Sequence, residues 1–145
     1  MLFDALITAI VVLISMSIWK KFRRPIIWVI DDNPIDTMMF KMNLQLDDNK
    51  FDVRYFSSVK GILWKTILTP PDAVICDYVL ADNVNGDQVY DFFKRNHIPV
   101  IITTGYDGDI AGVGEIMKKS PERSYYEALE NWVHKVTKRN SLLGH

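Results

Sequence analysis

The chain has 145 residues, 48% of them hydrophobic and 24% charged, the composition of one folded domain and not of a disordered segment. A net charge of -1 excludes a strongly basic nucleic-acid binder, and a single cysteine, Cys76, excludes a disulfide framework or a multi-cysteine zinc site. His97, His134 and His145 are scattered and form no metal-ligand pattern.

Charge is unevenly spread. Residues 1–19 hold one acid, Asp4, and no Lys or Arg, so all 17 basic residues follow. Leu2 to Trp19 is 18 residues long, and as a helix it would reach ~27 Å, against a hydrocarbon core of ~30 Å. Trp19 suits a membrane interface, and the basic segment 20–24 (Lys20, Lys21, Arg23, Arg24) should stay on the cytoplasmic side. The expectation is a transmembrane helix over 1–19 with Met1 outside. A signal peptide would carry its positive charge before the apolar run, and a core or interfacial helix would show a polar face; neither pattern is present.

Beyond residue 25, strands and helices alternate. Ile26–Ile30 is a short continuous apolar run, as in a strand buried on both faces. Asn33-Pro34 reads as a helix cap and first turn, with Ile35, Met38, Met39, Met42 and Leu46 at helical spacing. Phe51–Phe56 reads as a second strand. Ser57 or Ser58 is the expected cap of a helix through Leu68, carrying Val59, Ile62, Leu63 and Ile67. Ala73–Cys76 is a third strand, Gly86–Asn96 a helix, Pro99–Thr103 a fourth strand and Glu115–Lys118 a weaker fifth. Ser120-Pro121-Glu122 opens a last helix with Tyr125, Leu129, Trp132 and Val136 facing inward. This alternation predicts an open parallel sheet covered on both faces, with function at the carboxyl ends of its strands.

The residues following those strands are Asp31-Asp32, Asp77, Thr103-Thr104-Gly105 and Lys118-Lys119. In a parallel sheet they converge on one edge. Three carboxylates in one cleft repel one another, which a raised pKa, a cation, or both must offset. An all-oxygen set of this size suits Mg²⁺ or Mn²⁺, with a lysine ammonium as a second positive charge.

Val29-Ile-Asp31-Asp32, Ile75-Cys-Asp77, Ile101-Ile-Thr-Thr104-Gly105 and Lys119 ahead of Pro121 together resemble the receiver domain of two-component response regulators. The resemblance covers residues 25–140, leaving a tail at 141–145. It implies a flavodoxin-like α/β fold with strand order 2-1-3-4-5. It also implies Asp77 as phosphoacceptor, Asp31, Asp32, Asp77 and the Val79 carbonyl as Mg²⁺ ligands, and Thr104 and Lys119 as phosphoryl-binding groups. Thr103 and Lys118 are alternates. The implied partner is a histidine kinase or phosphotransfer protein, with no nucleic acid. Any catalysis would be the domain's own Mg²⁺-dependent phosphorylation and dephosphorylation, with no separate output domain. With the span, the expected location is the cell inner membrane, single-pass, with the receiver domain cytoplasmic.

Two departures stand out. Ser120 separates Lys119 from Pro121 where the family places proline directly after the lysine. The window from Thr104 to Lys119 is short and carries Gly105, Gly108, Gly112 and Gly114, so the helix between the fourth and fifth strands should be absent or about one turn. Ile116 (Glu115 in the shifted register) stands at the family's aromatic switch position, and Tyr106 is a candidate substitute. The alternative function is a pseudo-receiver that binds a kinase or membrane partner without phosphorylation. A phosphohydrolase of the haloacid-dehalogenase type is weaker, because Asp77-Tyr-Val and Asp31-Asp32-Asn lack its Asp-x-Asp.

Overall fold

The computed structural model describes residues 1–81 and 83–143, with side chains except those of Leu2, Lys20, Lys21, Phe22, Leu63 and residues 139–143. The order is α1 (Leu2–Phe22), β1 (Ile26–Ile30), α2 (Pro34–Asn43), β2 (Asp52–Phe56), α3 (Ile62–Leu68), β3 (Ala73–Asp77), α4 (Gly86–Arg95), β4 (Val100–Thr104), β5 (Ile116–Lys118) and α5 (Arg123–Leu143). The expected tail at 141–145 is helical through Leu143, and Gly144 and His145 lie outside the described residues.

The strands form one five-stranded sheet in the order β2-β1-β3-β4-β5, with every pairing parallel. The three central strands β1, β3 and β4 are buried at every position. Their unbroken apolar runs follow from that, because each alternate residue faces one of two helix layers. Ile26, Trp28, Ile30, Val74, Cys76, Val100 and Ile102 meet Ile62, Val89 and Phe93 on the α3/α4 face. Ile27, Val29, Ile75 and Ile101 meet Phe40, Tyr125, Leu129 and Val133 on the α2/α5 face. Trp28 anchors the first layer, edge-on to Phe56 at 4.8 Å and to Phe93 at 6.2 Å. Truncating such a buried aromatic to alanine costs about 3–5 kcal/mol.

Several expectations are corrected. Helix α3 begins at Ile62 and not near Ser57. Ser58 Oγ accepts the Lys60 N–H at 3.0 Å in a local turn, and Gly61, at φ 77°, then blocks helix continuation. Ile67 is exposed. On α2, Ile35, Met38 and Met42 also face solvent, while Phe40 is buried and Met39 packs against the core. The larger aromatic at Phe40 sets the rotation of the helix.

Between β4 and β5 no helix forms among the described residues, as the glycines predict. Gly108 (φ 117°) and Gly112 (φ 80°) hold backbone conformations that side chains oppose. The Lys119–Ser120 peptide bond is trans.

Helix α1 projects from the sheet, and neither core layer includes any of its residues. Leu6, Ile7, Ile10, Val11, Val12, Leu13, Ile14, Met16, Ile18 and Trp19 are all exposed. Thr8 and Ser17 turn their hydroxyls back onto the Asp4 and Leu13 carbonyls. Among the described residues, no helix is long and apolar enough to cross a membrane, which corrects the expected span. The uncharged run from Ala5 to Trp19 is 15 residues, or ~23 Å of helix against a hydrocarbon core of ~30 Å. At the sheet end of α1, Arg23 forms a two-pronged pair with Asp72 at 2.7 and 3.1 Å, and Asp72 also accepts the Ile26 N–H at 2.8 Å. This clamp fixes where β1 begins.

Candidate functional site

The chain runs from β1 outward to β2, then crosses back to β3, so a crevice opens at the carboxyl ends of β1 and β3. Asp31 is the first residue beyond β1. Its N–H donates to the Phe56 carbonyl at 3.0 Å, and the residue is 1% exposed. Asp31 Oδ1 accepts the Asn33 N–H at 2.9 Å, and Asn33 in turn caps α2 by accepting the Ile35 N–H at 2.9 Å. Pro34 at the first helical position completes this sharp strand-to-helix turn. Thr37 Oγ1 ties the helix back to the Asp31 carbonyl at 3.2 Å.

Asp77 is the last residue of β3 and lies directly beside Thr103 of β4. It is 9% exposed. Beyond it, the Gly86 N–H donates to the Tyr78 carbonyl at 2.7 Å, and Val79 bridges to Asn85, closing the β3–α4 loop. A Cβ on Gly86 would lie 2.7 Å from Tyr78 Cα and 3.1 Å from the Asp77 carbonyl oxygen. The glycine is therefore required by a close backbone approach directly under the site.

Lys119 joins these parts. Its N–H donates to the Thr104 carbonyl at 2.7 Å, which continues the β4–β5 pairing and fixes where the lysine starts. Its ammonium reaches Asp31 Oδ2 at 2.9 Å, Asp77 Oδ1 at 2.9 Å and Asp36 Oδ2 at 2.7 Å. Lys118 points elsewhere and pairs with Asp107 on the surface. Of the two lysines, Lys119 is the one at the acidic cluster.

Burial pushes the carboxyls of Asp31 and Asp77 above their ordinary value, and the neighbouring Lys119 only partly offsets it. Burial alone would lower the Lys119 ammonium, but its hydrogen bonds to Asp36, Asp31 and Asp77 outweigh that and raise it. Cys76, directly before Asp77, is fully buried, and burial raises its thiol well above the usual range. It is a small core residue and not a nucleophile.

Carboxylate oxygens of Asp31, Asp32 and Asp77 lie within 4.8 Å of one another. Opposite ligands of an octahedral Mg²⁺ stand about 4.2 Å apart, so the three oxygens need at most a small inward adjustment to share one such cation. The set is all oxygen, as Mg²⁺ or Mn²⁺ prefers, and two of the three acids, Asp31 and Asp77, are buried beside the Lys119 ammonium. These residues fit a divalent ion. Val79 stands two positions past Asp77 in the same loop.

Thr104 ends β4, is 1% exposed, and its Oγ1 accepts the Tyr106 N–H at 3.1 Å. Thr103 turns its hydroxyl to the Cys76 carbonyl at 3.5 Å and takes a place within the sheet. Tyr106 is exposed and meets Tyr78 edge-on at 6.4 Å. Ile116 is half-buried on β5.

Asp36 is the residue that sequence reasoning passed over. An acid in the first turn of a helix has an ordinary electrostatic role there, so nothing in the spacing marks it. The usable signal is that α2 starts within three residues of Asp31, which keeps its first turn beside the cluster.

No protein-family model matches the chain, and no curated protein matches it. Solved structures do. A response regulator receiver domain protein from Clostridium thermocellum is similar at 24% identity and a TM-score of 0.61, covering 82% of this chain and 98% of that one. A CheY-like receiver domain protein from Methanospirillum hungatei JF-1 is similar at 19% identity and a TM-score of 0.63, covering 81% and 98%. The receiver domain of the Francisella response regulator 1452 is similar at 19% identity and a TM-score of 0.61, covering 81% and 99%. The fold is that of a receiver domain.

Proposed function

We propose that this chain is a membrane-attached receiver that takes a phosphoryl group onto Asp77 from the phosphohistidine of a kinase or phosphotransfer protein. The observation that carries the reading is the meeting of Asp77 and Lys119 at 2.9 Å beside two further acids whose oxygens can share a cation. The receiver-domain fold supports phosphorelay signalling.

The chemistry needs an anion to attack an anion. An Asp77 carboxylate oxygen attacks phosphorus as the P–N bond of the donor breaks. The electron pair of that bond leaves with the imidazole, and an acyl phosphate forms on Asp77. The buried position of Asp77 makes its carboxylate more basic and less shielded by water than an exposed one. Lys119 is placed to pair with a phosphoryl oxygen, and the Thr104 hydroxyl to donate to another. Asp31, Asp32, Asp77 and the Val79 carbonyl are the proposed ligands of a Mg²⁺ or Mn²⁺ ion, which when bound would offset charge on the transferring group.

Attachment to a membrane is carried by α1. Its apolar side chains are exposed around the helix, and the Thr8 and Ser17 hydroxyls are bonded internally. Lipid covers such a surface, with flanking polar groups reaching the interface. The proposed location is the inner membrane with the receiver domain cytoplasmic. Flotation of the full chain with phospholipid vesicles, lost on substituting Leu13 and Ile14 by aspartate, tests this part.

A second reading is a pseudo-receiver that binds its partner without phosphorylation. It is favoured by the helix-free 105–115 segment, which stands where a receiver carries its fourth helix. Treating the full chain in detergent with Mg²⁺ and phosphoramidate separates the two. Addition of one phosphoryl group to the wild type and none to Asp77→Asn supports the receiver; no addition to either, with both folded, supports the pseudo-receiver.

A further inference from the structure

The Lys119 ammonium meets three carboxylates: it donates hydrogen bonds to Asp31 at 2.9 Å and Asp36 at 2.7 Å, and forms an ion pair with Asp77 at 2.9 Å. Two of these acids belong to the trio that can share a cation; Asp36 does not. It comes from α2, and its side chain is 34% exposed, against 1% for Asp31. An acid at the third helical position commonly reaches back to cap its own helix. Here Asn33 already supplies the cap through Ile35, and the Asp36 carboxylate is directed at Lys119. Asp36 and Lys119 also line a cavity of about 230 Å³ whose walls include Phe40, Pro121, Tyr125 and Tyr126. The contact therefore borders open space, where the ammonium has room to exchange partners.

We propose that Asp36 is a positioning residue that competes with the incoming phosphoryl group for the Lys119 ammonium and so restrains phosphorylation of Asp77. The inference rests on Asp77 being the phosphoacceptor. When an Asp77 oxygen bonds to phosphorus, its carboxylate charge is replaced by a neutral carbonyl and the charged phosphoryl oxygens. Lys119 must then leave the Asp77 carboxylate for one of those oxygens. Asp36 is not modified in this step, holds the ammonium toward α2, and repels an anionic donor. Neutralising it removes both effects.

The test uses the full chain in detergent: wild type, Asp36→Asn, Asp36→Glu and Asp77→Asn. The rate of phosphoryl addition from acetyl phosphate with saturating Mg²⁺ is followed by intact mass. Binding of beryllofluoride and of Mg²⁺ alone is followed by calorimetry. Asp36→Asn should be modified on the order of tenfold faster and bind beryllofluoride on the order of tenfold more tightly, the scale of one charge-assisted hydrogen bond. Its Mg²⁺ affinity should move far less, because Asp36 is outside the cation trio. Asp36→Glu keeps the charge and should stay near wild type. A purely structural role would not tighten beryllofluoride binding while sparing Mg²⁺. The proposal is overturned if the wild type is modified at Asp77 and Asp36→Asn is modified no faster. If neither is modified and both behave like Asp77→Asn, the phosphoacceptor reading itself fails and takes this inference with it.

Discussion

Replacing Lys119 by methionine keeps the apolar stem and deletes the charge, which isolates the ammonium's contribution. Three carboxylates lose their shared partner, with unequal consequences. The Asp36 side chain is 34% exposed and water can hydrate it; those of Asp31 and Asp77 are 1% and 11% exposed and lie beyond such help. Breaking a buried pair by removing one member costs about 3–5 kcal/mol. The stranded acids can escape by taking up a proton, at a cost of ~1.4 kcal/mol per pH unit between their pKa and the solution. That escape caps the loss, and the open side of the site lowers it further, so about 3 kcal/mol is expected at pH 7.5. The sign with pH follows from the shifts. Burial already raises Asp31 and Asp77, so they protonate first as pH falls, and without Lys119 they protonate earlier still. The raised Lys119 contributes fully below its ordinary value of 10.5 and loses its contribution only as pH rises past the folded value. The loss in Lys119→Met should therefore shrink between pH 7.5 and pH 5, and added Mg²⁺ should restore part of it at pH 7.5. Urea unfolding followed by circular dichroism, at both pH values with and without Mg²⁺, measures this. An equal loss at both pH values, or a loss under about 0.5 kcal/mol at pH 7.5, would refute the reasoning.

Three further outcomes follow from the same geometry. Asp31 holds its proton more tightly folded than at its ordinary 3.8, so its ionisation makes stability fall as pH rises through that window. Asp31→Asn should accordingly melt higher than wild type at pH 7, show no such gain at pH 3, and bind Mg²⁺ more weakly in calorimetry. Gly86→Ala should lose about 1–3 kcal/mol in urea unfolding and slow phosphoryl addition, because the new Cβ overlaps backbone beside Asp77; unchanged unfolding would show that the loop yields freely. Mg²⁺ at one hundred times its dissociation constant should stabilise the wild type by about 2.7 kcal/mol and Asp77→Asn by less, as read from thermal melts across a Mg²⁺ titration.

The central strands were legible because burial on both faces leaves no alternation to read: Ile26–Ile30 and Ala73–Cys76 can only be interior. Asn33-Pro34 marked the start of α2 through capping and fixed φ, and the glycines after Thr104 announced a segment without a helix. The edges of this legibility are physical as well. On α2, a stripe of methionines and the single Phe40 compete for the core, and periodicity alone does not say which face wins. Nor does it choose between adjacent lysines: Lys119 reaches the cluster because its own N–H is pinned to Thr104, a tertiary hydrogen bond. Asp36 is hidden for the same reason. Its local role at a helix start explains it fully until the fold brings Lys119 to it from 83 residues away. The α1 apolar run is short because Asp4 and Lys20 bound it, and their charges shorten the stretch that lipid would cover.

The central claim is that the carboxyl of Asp77 becomes an acyl phosphate. An acyl phosphate, unlike a phosphate on serine, threonine or histidine, is reduced by borohydride to an alcohol. The full chain is exposed to phosphoramidate and Mg²⁺, reduced, digested and sequenced by mass spectrometry. Homoserine in place of aspartate at position 77, and at no other acid, is the predicted result. Reduction at Asp31, Asp32 or Asp36, or none in a folded protein with Mg²⁺ bound, would contradict the account.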